Sequence, residues 1–284
     1  MLTGEQYDIA KEFCERYPND WTISSDRTPH LRYIGKETDG RKIVMPPEGV
    51  HDYTATFKNS NLIIPPVIPE GVTSLFDAFR GCKQLKYTCN FPSTLTNLGH
   101  AFVDCARLES SDAIPDGVSN CEDAFKGCIS LKSVANMGNA PRSKRMFYGC
   151  TSLEAMPPMG NDVEDLTSTF EGCEKLKSVA DISAKAKHFV RTFAGCKSLE
   201  TGPAQPAGTK DITAEYADCA NLKALPEGFV KLDLDGVTYM EPPFEGCDKL
   251  IDAGIVDEYG VPEEMSGISG HGGASSGDKP EYPF

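Results

Sequence analysis

Apolar residues recur along most of the chain at one fixed set of offsets. The string Phe-x-x-Cys-x-x-Leu reads Phe79-Cys82-Leu85, Phe102-Cys105-Leu108, Phe125-Cys128-Leu131, Phe147-Cys150-Leu153, Phe170-Cys173-Leu176 and Phe193-Cys196-Leu199. Tyr216-Cys219-Leu222 and Phe244-Cys247-Leu250 continue it, and Phe57-Ser60-Ile63 is a degenerate first unit. From one ring to the next the chain advances 22, 23, 23, 22, 23, 23, 23 and 28 residues, too regular for chance. Four residues before the ring stands a further apolar residue (Tyr53, Leu75, Leu98, Cys121, Leu166, Phe189, Ile212, Met240), and seven before it usually another, as at Val50, Val72, Leu95 and Val118.

These offsets place one apolar stripe on a helical stretch of one to two turns. Gly or Asp precedes every repeat Cys (Gly81, Asp104, Gly127, Gly149, Gly172, Gly195, Asp218, Gly246), which predicts a left-handed residue closing that stretch. The Leu-x-x-Val segment that follows is too short for a helix and predicts a brief strand. Turns of the form Pro-Glu-Gly-Val or a close variant open several units, at 47–50, 69–72, 115–118 and 226–229. A unit this small cannot bury its apolar face alone, so repeats must stack. The prediction is an α/β-type repeat, a solenoid of about nine coils of 22–23 residues, roughly 40 Å long at the ~4.8 Å spacing of paired strands.

The stretch 85–108, with its Ala-Phe-x-x-Cys-x-x-Leu core, resembles the BspA-type leucine-rich repeats of surface proteins from oral and gut bacteria, some parasitic protists and phages of gut bacteria. The resemblance spans about residues 47–254. It implies a right-handed leucine-rich-repeat solenoid and, for function, adhesion or protein binding without catalysis.

The two ends do not repeat. Residues 1–46 read as an N-terminal cap: a capping box at Thr3–Gln6, a helical face of Tyr7, Ala10, Phe13, Cys14 and Tyr17 stopped by Pro18, and a hairpin pairing 31–36 with 42–45 through Asp39-Gly40. The longer spacing before Phe244 predicts a loop near 232–236. Residues 255–284 read as an acidic flexible tail, Gly/Ser-rich over 266–277 and ending in Pro280, Tyr282, Pro283 and Phe284, which read as frayed chain or as a docking peptide.

Composition narrows the function classes. The chain has 284 residues, 42 Asp+Glu against 28 Lys+Arg and a net charge of −14, so it lacks the basic face that nucleic acid requires. No apolar run approaches the ~18 residues of a membrane span, so no membrane insertion is expected. The start carries neither a basic nor an apolar signal region, so the expectation is a cytoplasmic product as synthesised, displayed on a cell or phage particle by a route without a cleaved signal.

Candidate chemistry is sparse. Eight of the 11 cysteines occupy one phase of the repeat; a line of thiols, one per coil, does not converge as metal ligands must, and they are expected as small buried free thiols. The five histidines share no repeat position, and neither a Gly-x-Ser-x-Gly elbow nor a P-loop is present. No enzyme activity, metal or cofactor is expected.

Two patterns exceed what the fold requires. The residue after the repeat Leu alternates in sign: Lys86, Glu109, Lys132, Glu154, Lys177, Glu200, Lys223. Such a column either pairs with itself and sets register, or, with the neighbouring Tyr87, forms a partner-binding face. At 139–146 the unit departs from pattern, with Ser143 at an apolar position and a basic cluster of Arg142, Lys144 and Arg145. That cluster is either a solvated loop, replaceable by Ser without loss of stability, or part of a binding face. Two functions fit: an adhesin-like module recognising a protein or glycan surface, or an intracellular interaction or inhibitor protein presenting acid to a basic partner.

Overall fold

A computed structural model describes residues 2, 4–24, 29–35, 44–177, 179–229 and 241–262. Helix α1 (Gly4–Arg16) opens the chain, followed by strands β1 (Trp21–Ile23) and β2 (Leu31–Tyr33). The repeats contribute β3 (Ser110–Ser111) and β4 (Ser133–Val134), and α2 (Asp248–Asp252) follows the last repeat Cys.

One continuous apolar core runs from Leu2 to Val261. Its axis is the column of repeat rings. Phe57, Phe79, Phe102, Phe125, Phe147, Phe170, Phe193, Tyr216 and Phe244 are all fully buried, and successive centroids lie 5.0 to 5.7 Å apart with planes 3° to 17° from parallel. A constant repeat length brings each ring over the last, so the stack follows from the 22- and 23-residue spacing.

The segment around each ring is not the expected helix; it is a run of tight turns. Residues two before the ring (Ala55, Asp77, His100, Asp123, Arg145, Ser168, Arg191, Ala214) and two after it (Asn59, Gly81, Asp104, Gly127, Gly149, Gly172, Gly195, Asp218, Gly246) all have positive φ. The second set includes the Gly/Asp positions read from the sequence; the first has no glycine and carried no such signal. Two left-handed residues per unit break the helical i→i−4 ladder. The backbone instead alternates: Ala78, Arg80 and Cys82 N–H donate three residues back, while Asp77, Phe79 and Gly81 N–H donate to Gly99, Ala101 and Val103 of the next repeat. These main-chain donors thereby find acceptors although the helical ladder is broken, and each repeat is sewn to its neighbour.

Two parallel ladders run along the stack. The longer joins Asp52, Ser74, Asn97, Asn120, Arg142, Asp165, His188 and Asp211, five residues before each ring. Six of these eight are Asp, Asn or Ser, because the side-chain oxygen accepts the N–H two residues on, as at Asn97–Gly99 and Asn120–Glu122. The other ladder holds the expected strands in brief form: among the described residues, β3 pairs with β4 (Ser110↔Ser133, Ser111↔Val134), Tyr87 bridges Ser110, and Ala155 is a further bridge residue.

At the N-terminal end β2 pairs antiparallel with β1, Tyr33 opposite Trp21; the hairpin expected between 31–36 and 42–45 lies largely outside the described residues. Trp21 anchors this pairing: its ring meets Phe13, Tyr33 and Phe57 edge-on at 5.3 to 5.8 Å, closing the first repeat with aromatic surface. Of the predicted helical face, Ala10 is buried and Phe13 and Cys14 pack on the core, while Tyr7 and Tyr17 are exposed. The capping-box Thr3, the Asp39-Gly40 turn and the 232–236 loop lie outside the described residues. At the other end, residues 255–262 do not behave as the start of a flexible tail. Val256 and Val261 are buried, Val256 bridges Pro262, and Gly260 O accepts the Phe244 N–H at 3.2 Å, the bond a further repeat would make.

Candidate partner-binding face

The repeat Leu points into the core and the residue after it points out. The main chain there runs along the preceding repeat: Glu109 N–H donates to Lys86 O at 2.8 Å, Lys132 to Glu109 at 2.9 Å and Lys177 to Glu154 at 3.0 Å. Lys86, Lys132, Glu154, Lys177, Glu200 and Lys223 are exposed and Glu109 is half-buried. Beside this column runs a second of small residues (Ser110, Ser133, Ala155, Thr201, Ala224), headed by Tyr87 with 52% of its surface exposed.

Self-pairing of the column is confined to one contact. Lys223 Nζ meets Glu200 Oε2 at 2.6 Å, and this hydrogen bond holds the Glu200 carboxyl below its ordinary range. Among the described residues, no other pair in the column comes within ion-pair distance, so Lys86, Glu109, Lys132, Glu154 and Lys177 direct five charges at solvent.

The basic cluster is not part of this face. Arg142 and Lys144 lie 10 and 12 residues after Lys132, about half a repeat away on the Asp/Asn/Ser ladder, where Arg142 is exposed and Lys144 half-buried. Arg145 is a structural ion. Its Nε and Nη2 grip both oxygens of Asp123 at 2.9 and 2.8 Å, and Nη2 also reaches Glu122 at 3.0 Å. The Asp123 hydrogen bond raises its pKa further above an already high value. The expectation that all three basic residues are solvated is thus corrected for Arg145. Ser143 is buried, its hydroxyl donating to Ala140 O at 2.8 Å and its carbonyl accepting Thr169 Oγ1 at 3.0 Å.

Three features carried no sequence signal of their own. A cavity of about 500 Å³ opens between α1 and the first repeat, lined by Phe13, Tyr17, Trp21, Tyr33, Met45 and Pro46 among others. Near the far end, Glu215 is fully buried one residue before the Tyr216 ring; its Oε2 accepts Gln205 Nε2 at 3.3 Å, and burial pushes its pKa well above the carboxylate range. Each repeat thiol, finally, donates to the carbonyl of the preceding repeat's ring residue at 3.0 to 3.3 Å. All 11 cysteines are free, with no cluster of three or more His, Cys, Asp or Glu placed to hold a metal among the described residues.

The family described as BspA type leucine rich repeat region matches residues 53–177 and 143–225, with six copies of the repeat. The chain belongs to this BspA-type family. Solved structures of bacterial leucine-rich-repeat proteins also align with it at low identity. One from Bacteroides ovatus is 16% identical, with a TM-score of 0.29, over 81% of this chain and 92% of its own. The Treponema (T. pallidum) leucine-rich-repeat protein is 19% identical, TM-score 0.32, over 82% and 88%. A leucine rich cell surface protein from Faecalibacterium prausnitzii is 18% identical, TM-score 0.26, over 81% and 90%. A comparison with curated proteins finds no match. No helix among the described residues is long and apolar enough to cross a membrane.

Proposed function

We propose that the repeats form one solenoid of about nine coils and that the chain is a non-enzymatic, adhesin-like binding module, displayed on a cell or phage particle, that recognises a protein or glycan surface through its strand face. Membership of a repeat family whose members are generally binding modules supports the class of function. The observation that carries the face is the column from Lys86 to Lys177, whose five charges stand outward and unpaired beside a flat row of small residues. A long shallow surface of this kind suits a macromolecular partner better than a metabolite.

The test is capture of cell-surface and matrix material by the tagged chain and by a variant carrying Glu109→Gln, Lys132→Gln, Glu154→Gln and Lys177→Gln. Capture by the wild type that is lost in the variant is the expected result. Equal capture by both overturns the assignment of the face.

A further inference from the structure

We infer that the strand face is built to pair with a second copy of this chain, in an antiparallel two-fold dimer whose axis passes between the Lys132 and Glu154 repeats. The inference rests on the reading of this face as a binding surface and names its partner.

The argument is one of register. Signs alternate strictly along Lys86, Glu109, Lys132, Glu154, Lys177, Glu200 and Lys223, so like charges recur every second repeat, roughly 10 Å apart at the spacing of paired strands. When two such columns meet antiparallel, an axis through any one repeat sets like against like at every position. An axis between two repeats sets opposite charges together throughout. A two-fold contact must be self-complementary, and this pattern satisfies that requirement only with the axis between repeats.

Centred between Lys132 and Glu154, the scheme joins Lys86 to Glu200, Glu109 to Lys177 and Lys132 to Glu154, each twice by symmetry. It leaves out Lys223, which holds Glu200 within its own chain at 2.6 Å, so Glu200 is shared between that lysine and the other copy's Lys86. Tyr87 selects this register over the one shifted by a repeat toward Lys223. The chosen register seats each exposed Tyr87 ring over the small Thr201 position of the other copy, whereas the shifted one sets Lys86 against Ile251, an uncharged residue of the last repeat. The row of Ser110, Ser133 and Ala155 beside the charges lets the two faces approach closely. The net charge of −14 repels a second copy at long range, but at about 0.1 M salt that field is screened beyond ~10 Å while contact pairs persist.

Sedimentation equilibrium of the full chain tests this at about 0.1 M and about 1 M salt, where the screening lengths are ~10 and ~3 Å. Three variants accompany the wild type: a basic column (Glu109→Lys, Glu154→Lys), an acidic column (Lys86→Glu, Lys132→Glu, Lys177→Glu), and the four-Gln variant, which keeps the fold free of like-charge neighbours. The expected result is a wild-type mass that rises toward twice the monomer at the lower salt and falls back at the higher. Each variant alone stays monomeric, and an equimolar mixture of basic and acidic columns regains the dimer. A wild type monomeric up to about 1 mM chain, the weak end of measurable affinity, overturns the proposal, as does a dimer that survives in the four-Gln variant. If the wild type is monomeric yet captures surface material that the four-Gln variant does not, self-pairing falls and the binding face stands.

Discussion

Cys128 donates its thiol hydrogen to the main-chain oxygen of Phe102, 3.1 Å away in the preceding repeat. That oxygen also accepts the N–H of Cys105 at 3.1 Å, so one carbonyl closes a turn and ties on the next repeat. The same bond recurs from Cys82 to Cys247, which explains why a thiol, a small apolar group with a weak donor, stands at this phase of every unit but the first.

Burial pushes the Cys82 thiol up to about 11 and those of Cys89, Cys121 and Cys247 up to about 12. Since the thiolate is the reactive form, a thiol reagent at neutral pH should modify at most the half-buried Cys14 in the folded chain, and all 11 cysteines after denaturation without reductant. Several fast-reacting thiols in the native protein would contradict the ladder.

Arg145 neutralises Asp123, a carboxylate with only 4% of its side chain exposed. Arg145→Ser removes both close hydrogen bonds to that charge, leaving only Lys126 Nζ at 3.9 Å and His100 Nδ1 at 3.7 Å, and should cost about 1–3 kcal/mol, whereas Arg142→Ser and Lys144→Ser should each stay within about 0.5 kcal/mol. Chemical denaturation of the three single variants checks the split.

The left-handed columns predict opposite effects of small substitutions. At Gly127, φ is +73° and an added Cβ would sit 2.5 Å from Asp104 Oδ1, so Gly127→Ala should lower Tm, and Asp104→Gly in that background should restore part of the loss. Ala55 holds φ +54° with no glycine to ease it, so Ala55→Gly should be neutral or stabilising by up to ~1 kcal/mol. A thermal melt of the four proteins decides both points.

Glu215 gives stability a pH dependence of known sign. Its folded pKa lies above the ordinary value of about 4.3, so the stability of the buried neutral acid is complete below that pH and is lost as pH rises toward the folded pKa. The groups facing it are Gln205, Tyr216 and Asp211. Glu215→Gln should therefore match the wild type near pH 4 and exceed its Tm increasingly toward pH 8. Parallel Tm curves for the two proteins would exclude the assignment.

Repeat length, the ring column, the Cys phase and the left-handed Gly/Asp position were all legible in the sequence, because each is a residue type recurring at constant phase. The turn run was not. Eight different backbone contexts share a positive φ two residues before the ring, and His100, Arg145 and Arg191 give no hint of it. Helical periodicity and a chain of tight turns place the same apolar residues inward, so periodicity alone does not separate them. The Arg145–Asp123 pair spans 22 residues, and only the stacking of repeats brings it together. The β1–β2 pairing was not legible for a related reason: it is held by the packing of Trp21 on Phe57, a tertiary fact.

The central claim is that the charges from Lys86 to Lys177 serve a partner and not the fold. Its most direct test is the thermal melt of the variant with Gln at 109, 132, 154 and 177. With the only closed pair of the column at Glu200–Lys223 left intact, the account predicts a Tm within the range of neutral surface substitutions, about 0.5 kcal/mol per site or less. A fall of many degrees, equivalent to several kcal/mol, would show that the column staples the repeats together and would contradict the claim.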